Sequence, residues 1–155
     1  ISFVLHTSTN RICRMRKLIL LAVVLLCNTS QAQIKIKWST FERLQFEEVY
    51  NEESAAWRVA PIWTEDLKEF DGKKVKITGY IIALDVIGDE YALSAFPFAS
   101  CFFCGASGPE SVMELSLANQ TKYLTDEVHT FVGILRLNDG TGIFPISLDK
   151  AKSID

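Results

Sequence analysis

The segment Lys73-Lys74-Val75-Lys76-Ile77-Thr78-Gly79-Tyr80-Ile81-Ile82-Ala83-Leu84 carries the most regular pattern in the chain. Val75, Ile77, Gly79, Ile81 and Ala83 fall on one face of an extended backbone, and Lys74, Lys76, Thr78 and Tyr80 on the other. That period of two marks a half-buried strand. A second segment repeats it, because His129-x-Phe131-x-Gly133-x-Leu135 lies over Val75-x-Ile77-x-Gly79-x-Ile81 with a glycine again on the inward face. Glycine inside a strand weakens it unless the sheet bends sharply or another backbone comes close. Two such glycines predict a strongly curled sheet.

Further strands are expected at Glu90 to Phe96, at Val112 to Leu117 with Met113, Leu115 and Leu117 inward, at Val128 to Leu137, and at Gly142 to Leu148. Gly88-Asp89 and Asn138-Asp139-Gly140 supply turn chemistry between them. The fold class is therefore mainly β, either a small five-stranded barrel of the oligonucleotide/oligosaccharide-binding (OB-like) kind or a strongly curled antiparallel sheet. Upstream, Thr64 is placed to cap a short helix with acids in its first turn and Gly72 as terminator. Trp38, Phe41, Leu44 and Phe46 are spaced for a short helix entering a strand. Glu47 to Ser54 is a polar, acidic stretch that reads as a solvated face. The expectation is one globular domain over 33–155, with an N-terminal segment at 33–72 and the barrel at 73–148.

The beginning of the chain reads differently. Met15-Arg16-Lys17 is followed by an apolar run from Leu18 to Leu26 and by small and polar residues ending Ser30-Gln31-Ala32. The run is about nine residues long, well short of the roughly twenty that cross a bilayer. Residues 15–32 therefore read as a signal peptide cleaved near Ala32, and no transmembrane span is expected in the mature protein. Residues 1–14 are expected to be an upstream extension outside the native protein. Cys27 follows Leu25-Leu26 rather than the small residues lipidation needs. The expected location is periplasmic or secreted.

Removal of that leader takes Arg11, Arg14, Arg16 and Lys17 and none of the 19 acids, which leaves twelve basic residues and a net charge of −7. Nucleic acid binding requires a cationic surface. An acidic surface argues against that class of partner.

Of the four cysteines, only Cys101 and Cys104 lie in the expected mature domain. They sit in Phe96-Pro97-Phe98-Ala99-Ser100-Cys101-Phe102-Phe103-Cys104-Gly105-Ala106-Ser107-Gly108-Pro109-Glu110, between two expected strands. Two cysteines three apart can bring both sulfurs to one centre, and Gly105 permits a positive φ that frees backbone N–H groups to face them. This is half of a zinc site, since a closed site takes four ligands. His129, the one histidine after the leader, is a candidate third ligand, and Glu110 is an acidic alternative. His129 can equally be a strand residue bonded to a neighbour.

Two readings compete with zinc. An oxidising compartment favours a structural Cys101–Cys104 disulfide. A short, reducible loop also raises a thiol-disulfide oxidoreductase, although that motif normally opens a helix in a thioredoxin-like alternation. Phe96, Phe98, Phe102 and Phe103 are expected chiefly as core shielding the sulfurs, and otherwise as a surface for an envelope protein partner. No nucleophile elbow or phosphate-binding glycine loop is present, so neither hydrolase-triad nor phosphate-loop chemistry is expected, and a non-enzymatic role is favoured over the oxidoreductase.

The stretches Gly72-Lys73-x-Val75-x-Ile77-x-Gly79-Tyr80 and Cys101-Phe102-Phe103-Cys104-Gly105-x-x-Gly108-Pro109-Glu110-Ser111 resemble an uncharacterised family of small exported bacterial proteins, a domain of unknown function. The resemblance covers about Trp38 to Leu148. It implies that the Gly79 strand and the cysteine loop are the family's motifs. Some relatives look similar to components encoded beside metal-ion transporters, which implies an extracytoplasmic, metal-linked role.

Overall fold

A computed structural model describes residues 33–52, 55–85, 90–140 and 142–155. The leader at 15–32, the extension at 1–14 and the Gly88-Asp89 turn lie outside the described residues.

The alternating segment forms β4 of the chain, Lys74–Asp85. It is preceded by β1 (Ile34–Lys35), β2 (Gln45–Asn51), β3 (Ala56–Ile62) and the one-turn helix α1 (Glu65–Lys68). It is followed by β5 (Glu90–Ser94), β6 (Val112–Leu117), β7 (Val128–Leu137) and β8 (Ile146–Ser153). Strands β4, β5, β6, β8 and β7 pair in that order, and β7 returns to β4, so the sheet closes on itself. The result is a five-stranded, OB-like barrel, with β1 added alongside β4 as a sixth strand.

Closure makes the sheet mixed rather than purely antiparallel. Strands β6 and β8 run parallel, with Leu115 opposite Leu148, while the other four barrel pairings are antiparallel. Hydrophobic periodicity reports which face a residue takes, not which neighbour it pairs with. The parallel step was therefore not readable from the alternation.

Inside the barrel, Val75, Ile77 and Ile81 of β4 meet Leu93, Met113, Leu115, Phe131, Leu135, Ile146 and Leu148, all essentially withdrawn from water. The N-terminal segment closes one part of this core with Ile36, Phe41 and Leu44, and α1 adds Leu67. The expected helix before β2 is a single 3-10 turn, Trp38–Thr40, whose indole Nε1 of Trp38 donates to the Thr78 carbonyl at 2.9 Å. Thr64 occupies the cap position of α1 with extended backbone but makes no side-chain capping bond. Gly72 ends the segment at φ 71°, as a terminating glycine should.

Gly79 and Gly133 explain the curl. An added Cβ at Gly79 would lie 2.7 Å from the Ser94 carbonyl oxygen, and one at Gly133 would lie 2.8 Å from that of Asp149. Each glycine stands where a neighbouring strand's backbone presses across the inward face. Strand β4 passes from β1 to β5 just around Gly79, and the β7–β8 register shifts between Val132 and Ile134, at Gly133. Glu47 and Glu48 lie exposed on β2, as a solvated face requires, in the hairpin of β2 and β3 that pairs Gln45 with Ile62 through Asn51 with Ala56.

Candidate functional site

Strands β5 and β6 have both faces covered over part of their length. Tyr91 and Leu93 point inward, yet the outward Ala92 is fully buried, and so is the outward Val112 of β6. Together with Ile82 of β4, Cys101 and Phe144 they form a second small core outside the barrel, against which Phe102 packs. Tyr91-Ala92-Leu93 and Val112-Met113 break the alternation, which is the sequence signal for a strand covered on two sides.

The cysteine loop is the cover. It leaves β5, makes a 3-10 turn at Phe98–Ser100, a second at Phe102–Cys104 and a third at Pro109–Ser111, and enters β6. Its ends are tied by the Ala95 amide donating to the Ser111 carbonyl at 2.9 Å, and its middle by the Phe98 amide donating to Asp126 Oδ1 at 2.7 Å. Ser111, itself buried, donates through its hydroxyl to the Gly108 carbonyl at 2.7 Å. The pair is thus carried on a short, pinned turn rather than at a helix N-terminus.

Both cysteines are free thiols with unequal surroundings. Cys101 is fully buried and Cys104 is exposed. Gly105 takes the expected left-handed conformation, φ 72°. The amides it was expected to free for the sulfurs are used otherwise: those of Cys104 and Ala106 donate to the Cys101 carbonyl at 3.2 and 3.4 Å, and that of Gly105 to the Phe102 carbonyl at 2.9 Å. The Cys104 thiol donates to the Phe98 carbonyl at 3.0 Å. Desolvation within the turn raises the Cys104 thiol above its ordinary range, and Cys101 raises it further as a nearby like charge and hydrogen-bond partner. Cys101 is thus near enough to act on the Cys104 thiol.

His129 is not gathered with them. Among the described residues no group of three or more His, Cys, Asp or Glu side chains stands ready for a metal ion. His129 opens β7 half-buried, with Nδ1 3.3 Å from Asp155 Oδ2 and Nε2 3.6 Å from Glu127 Oε2, and its ring packs on Tyr123 at 5.0 Å between centroids. Asp155 is held below the usual carboxylate range, chiefly because the Thr130 amide donates to it, with His129 acting in the same direction. This is the neighbour-bonded strand histidine that the sequence left open. Glu110 folds back over Gly108.

The four phenylalanines do not form a shield. Phe96, Phe98 and Phe103 are exposed, while Phe102 is partly buried against the outer core. Phe103 stacks edge-on against Phe144 at 6.0 Å between centroids and walls a groove of about 650 Å³. Phe102 walls a separate hollow of about 340 Å³ beside Phe46, Val59 and Pro61. The two residues between the cysteines thus serve different surfaces, which composition alone could not reveal.

Among the described residues no helix is long and apolar enough to cross a membrane. The chain matches no family model, no curated protein and no solved structure.

Proposed function

We propose that this chain is an extracytoplasmic, non-enzymatic binding module that captures and hands over a thiophilic transition ion, zinc in the first instance, through Cys101 and Cys104. The observation that carries this reading is the pairing of one buried and one exposed thiol on a pinned turn, with no third ligand grouped with them among the described residues. Thiolates suit soft and borderline ions such as zinc. Two protein ligands leave coordination positions open to water or to a partner's side chain, and an open site exchanges its ion more readily than a closed four-ligand one. The metal-linked role implied by the family resemblance points the same way. In this reading His129 remains a structural residue of β7.

Because a metal must displace both thiol protons, and the Cys104 proton is held firmly, affinity should depend steeply on pH. Titration of the reduced protein with zinc is expected to show one site tighter than micromolar, lost in Cys104→Ser. From pH 6 to pH 8 its affinity should rise by roughly ten- to a hundredfold per pH unit, as one or two thiol protons are released. Binding that survives Cys104→Ser, or that does not change with pH, would refute the assignment.

The nearness of the two cysteines also favours a second reading, a structural Cys101–Cys104 disulfide in a small envelope scaffold. Thiol-disulfide catalysis has less support. An exchange nucleophile needs a lowered thiol pKa, and the exposed thiol here is raised.

A further inference from the structure

A groove of about 650 Å³ lies over β5 and β6, within the size range of ligand sites. One wall is apolar, built by Phe103 of the cysteine turn, Ile143 and Phe144 of the β7–β8 connection, and Leu84 of β4. Ile143 is 75% exposed, so this wall is open to an occupant.

The same groove is lined by Glu90 and Glu114. Ala92 pairs with Glu114, so Glu90, two residues before Ala92, projects from the same outward face as a diagonal neighbour of Glu114, roughly 7 Å away between Cβ atoms. Neither carboxylate takes part in an ion pair or hydrogen bond among the described residues. Among the described residues no lysine or arginine lines the groove. Two like charges kept together without a counter-charge favour a cationic occupant, and the aromatic and aliphatic wall favours one with apolar groups beside its charges. Small barrels of this architecture commonly bind oligonucleotides or sugars on this face. The carboxylates repel phosphates, and a sugar does not need them to be charged.

We propose that the groove binds an extended polypeptide segment in which basic residues alternate with apolar ones, basic side chains toward Glu90 and Glu114 and apolar side chains against Phe103, Ile143 and Phe144. Alternation follows from the geometry of an extended chain, whose successive side chains face opposite ways. The turn that carries the metal proposal also contributes Phe103, but the peptide site does not depend on bound metal.

The test uses the purified full-length protein in the presence of a chelator, followed by NMR and by calorimetry. The probes are a capped peptide of alternating Lys and Leu, the same peptide with Glu for Lys, the same peptide with Ser for Leu, and spermine. The Lys-Leu peptide is expected to bind with shifts confined to β5, β6, the cysteine turn, Leu84 and the Ile143-Phe144 part of the β7–β8 connection, and to weaken with rising salt. Glu90→Gln with Glu114→Gln is expected to weaken it at least tenfold while leaving the unfolding midpoint unchanged. Phe103→Ser, at an exposed position, is expected to weaken it severalfold. Binding indifferent to the glutamine substitutions, shifts elsewhere on the surface, equal binding of the Glu-Leu peptide, or spermine binding as tight as the peptide would each overturn the proposal.

Discussion

Replacing Gly79 by alanine is expected to cost about 2 kcal/mol of stability, and replacing Gly133 about the same, with the two costs adding to about 4 kcal/mol in the double variant. An alanine in a strand ordinarily gains a few tenths of a kcal/mol or more over glycine by restricting the unfolded chain. At these positions the sign reverses, because the new methyl would stand 2.7 Å from the Ser94 carbonyl oxygen or 2.8 Å from that of Asp149. Those oxygens belong to paired backbone, so neither can yield without breaking the barrel's ladder. The glycines lie at different paired positions, Gly79 opposite His129 and Gly133 opposite Val75, roughly 13 Å apart along the strands. That separation is why additivity is expected. Gly142 provides the comparison, since a Cβ there meets nothing within 4 Å, and Gly142→Ala should stay within about 0.5 kcal/mol of the parent. Urea unfolding midpoints measure all four proteins. A neutral Gly79→Ala would mean that the strands do not approach as described.

The second large effect separates binding from stability at the cysteine pair. Both Cys101→Ser and Cys104→Ser should abolish thiol-dependent metal binding, a loss of at least about a hundredfold or about 3 kcal/mol. Only the first should damage the fold. Cys101 is wholly buried among Ile82, Ala92, Val112 and Phe144, where a hydroxyl without a partner costs about 1–3 kcal/mol. Cys104 is exposed, so its replacement should change stability by less than about 0.5 kcal/mol. Zinc titration and thermal unfolding, run side by side, measure the two quantities. Cys101→Ala restores an apolar group and should recover part of the stability without recovering any binding. If it recovered both, the buried sulfur would be packing rather than ligand.

The alternation from Lys73 to Leu84 and its echo around Gly133 made the curled barrel legible, because an inward glycine has few physical uses in a strand and close approach is the one found. The pairing of β6 with β8 was not legible, since strand partnership is decided by packing between distant segments. At the candidate site, Cys101 and Cys104 were found from their spacing, and their adjacency follows from the turn that Gly105 permits. Their inequality was hidden. It depends on Ala92 and Val112, two small outward residues that let the turn settle on the barrel and bury Cys101 while leaving Cys104 in solvent. His129 was expected at the start of a strand, where β7 carries it, and the neighbours it meets there are Glu127 and Asp155. Glu90 and Glu114 passed unnoticed because two acids far apart in sequence acquire meaning only when β5 pairs with β6.

The most direct test of the metal-capture account is the state of Cys101 and Cys104 in protein recovered from its own compartment under anaerobic conditions without chelator. Native mass spectrometry, with alkylation of a parallel sample, reads both metal content and free thiols. The account predicts a chain carrying one transition-metal ion whose two cysteines are both alkylated once the ion is stripped. A metal-free chain lighter by two hydrogens, in which neither cysteine reacts until a reductant is added, contradicts it.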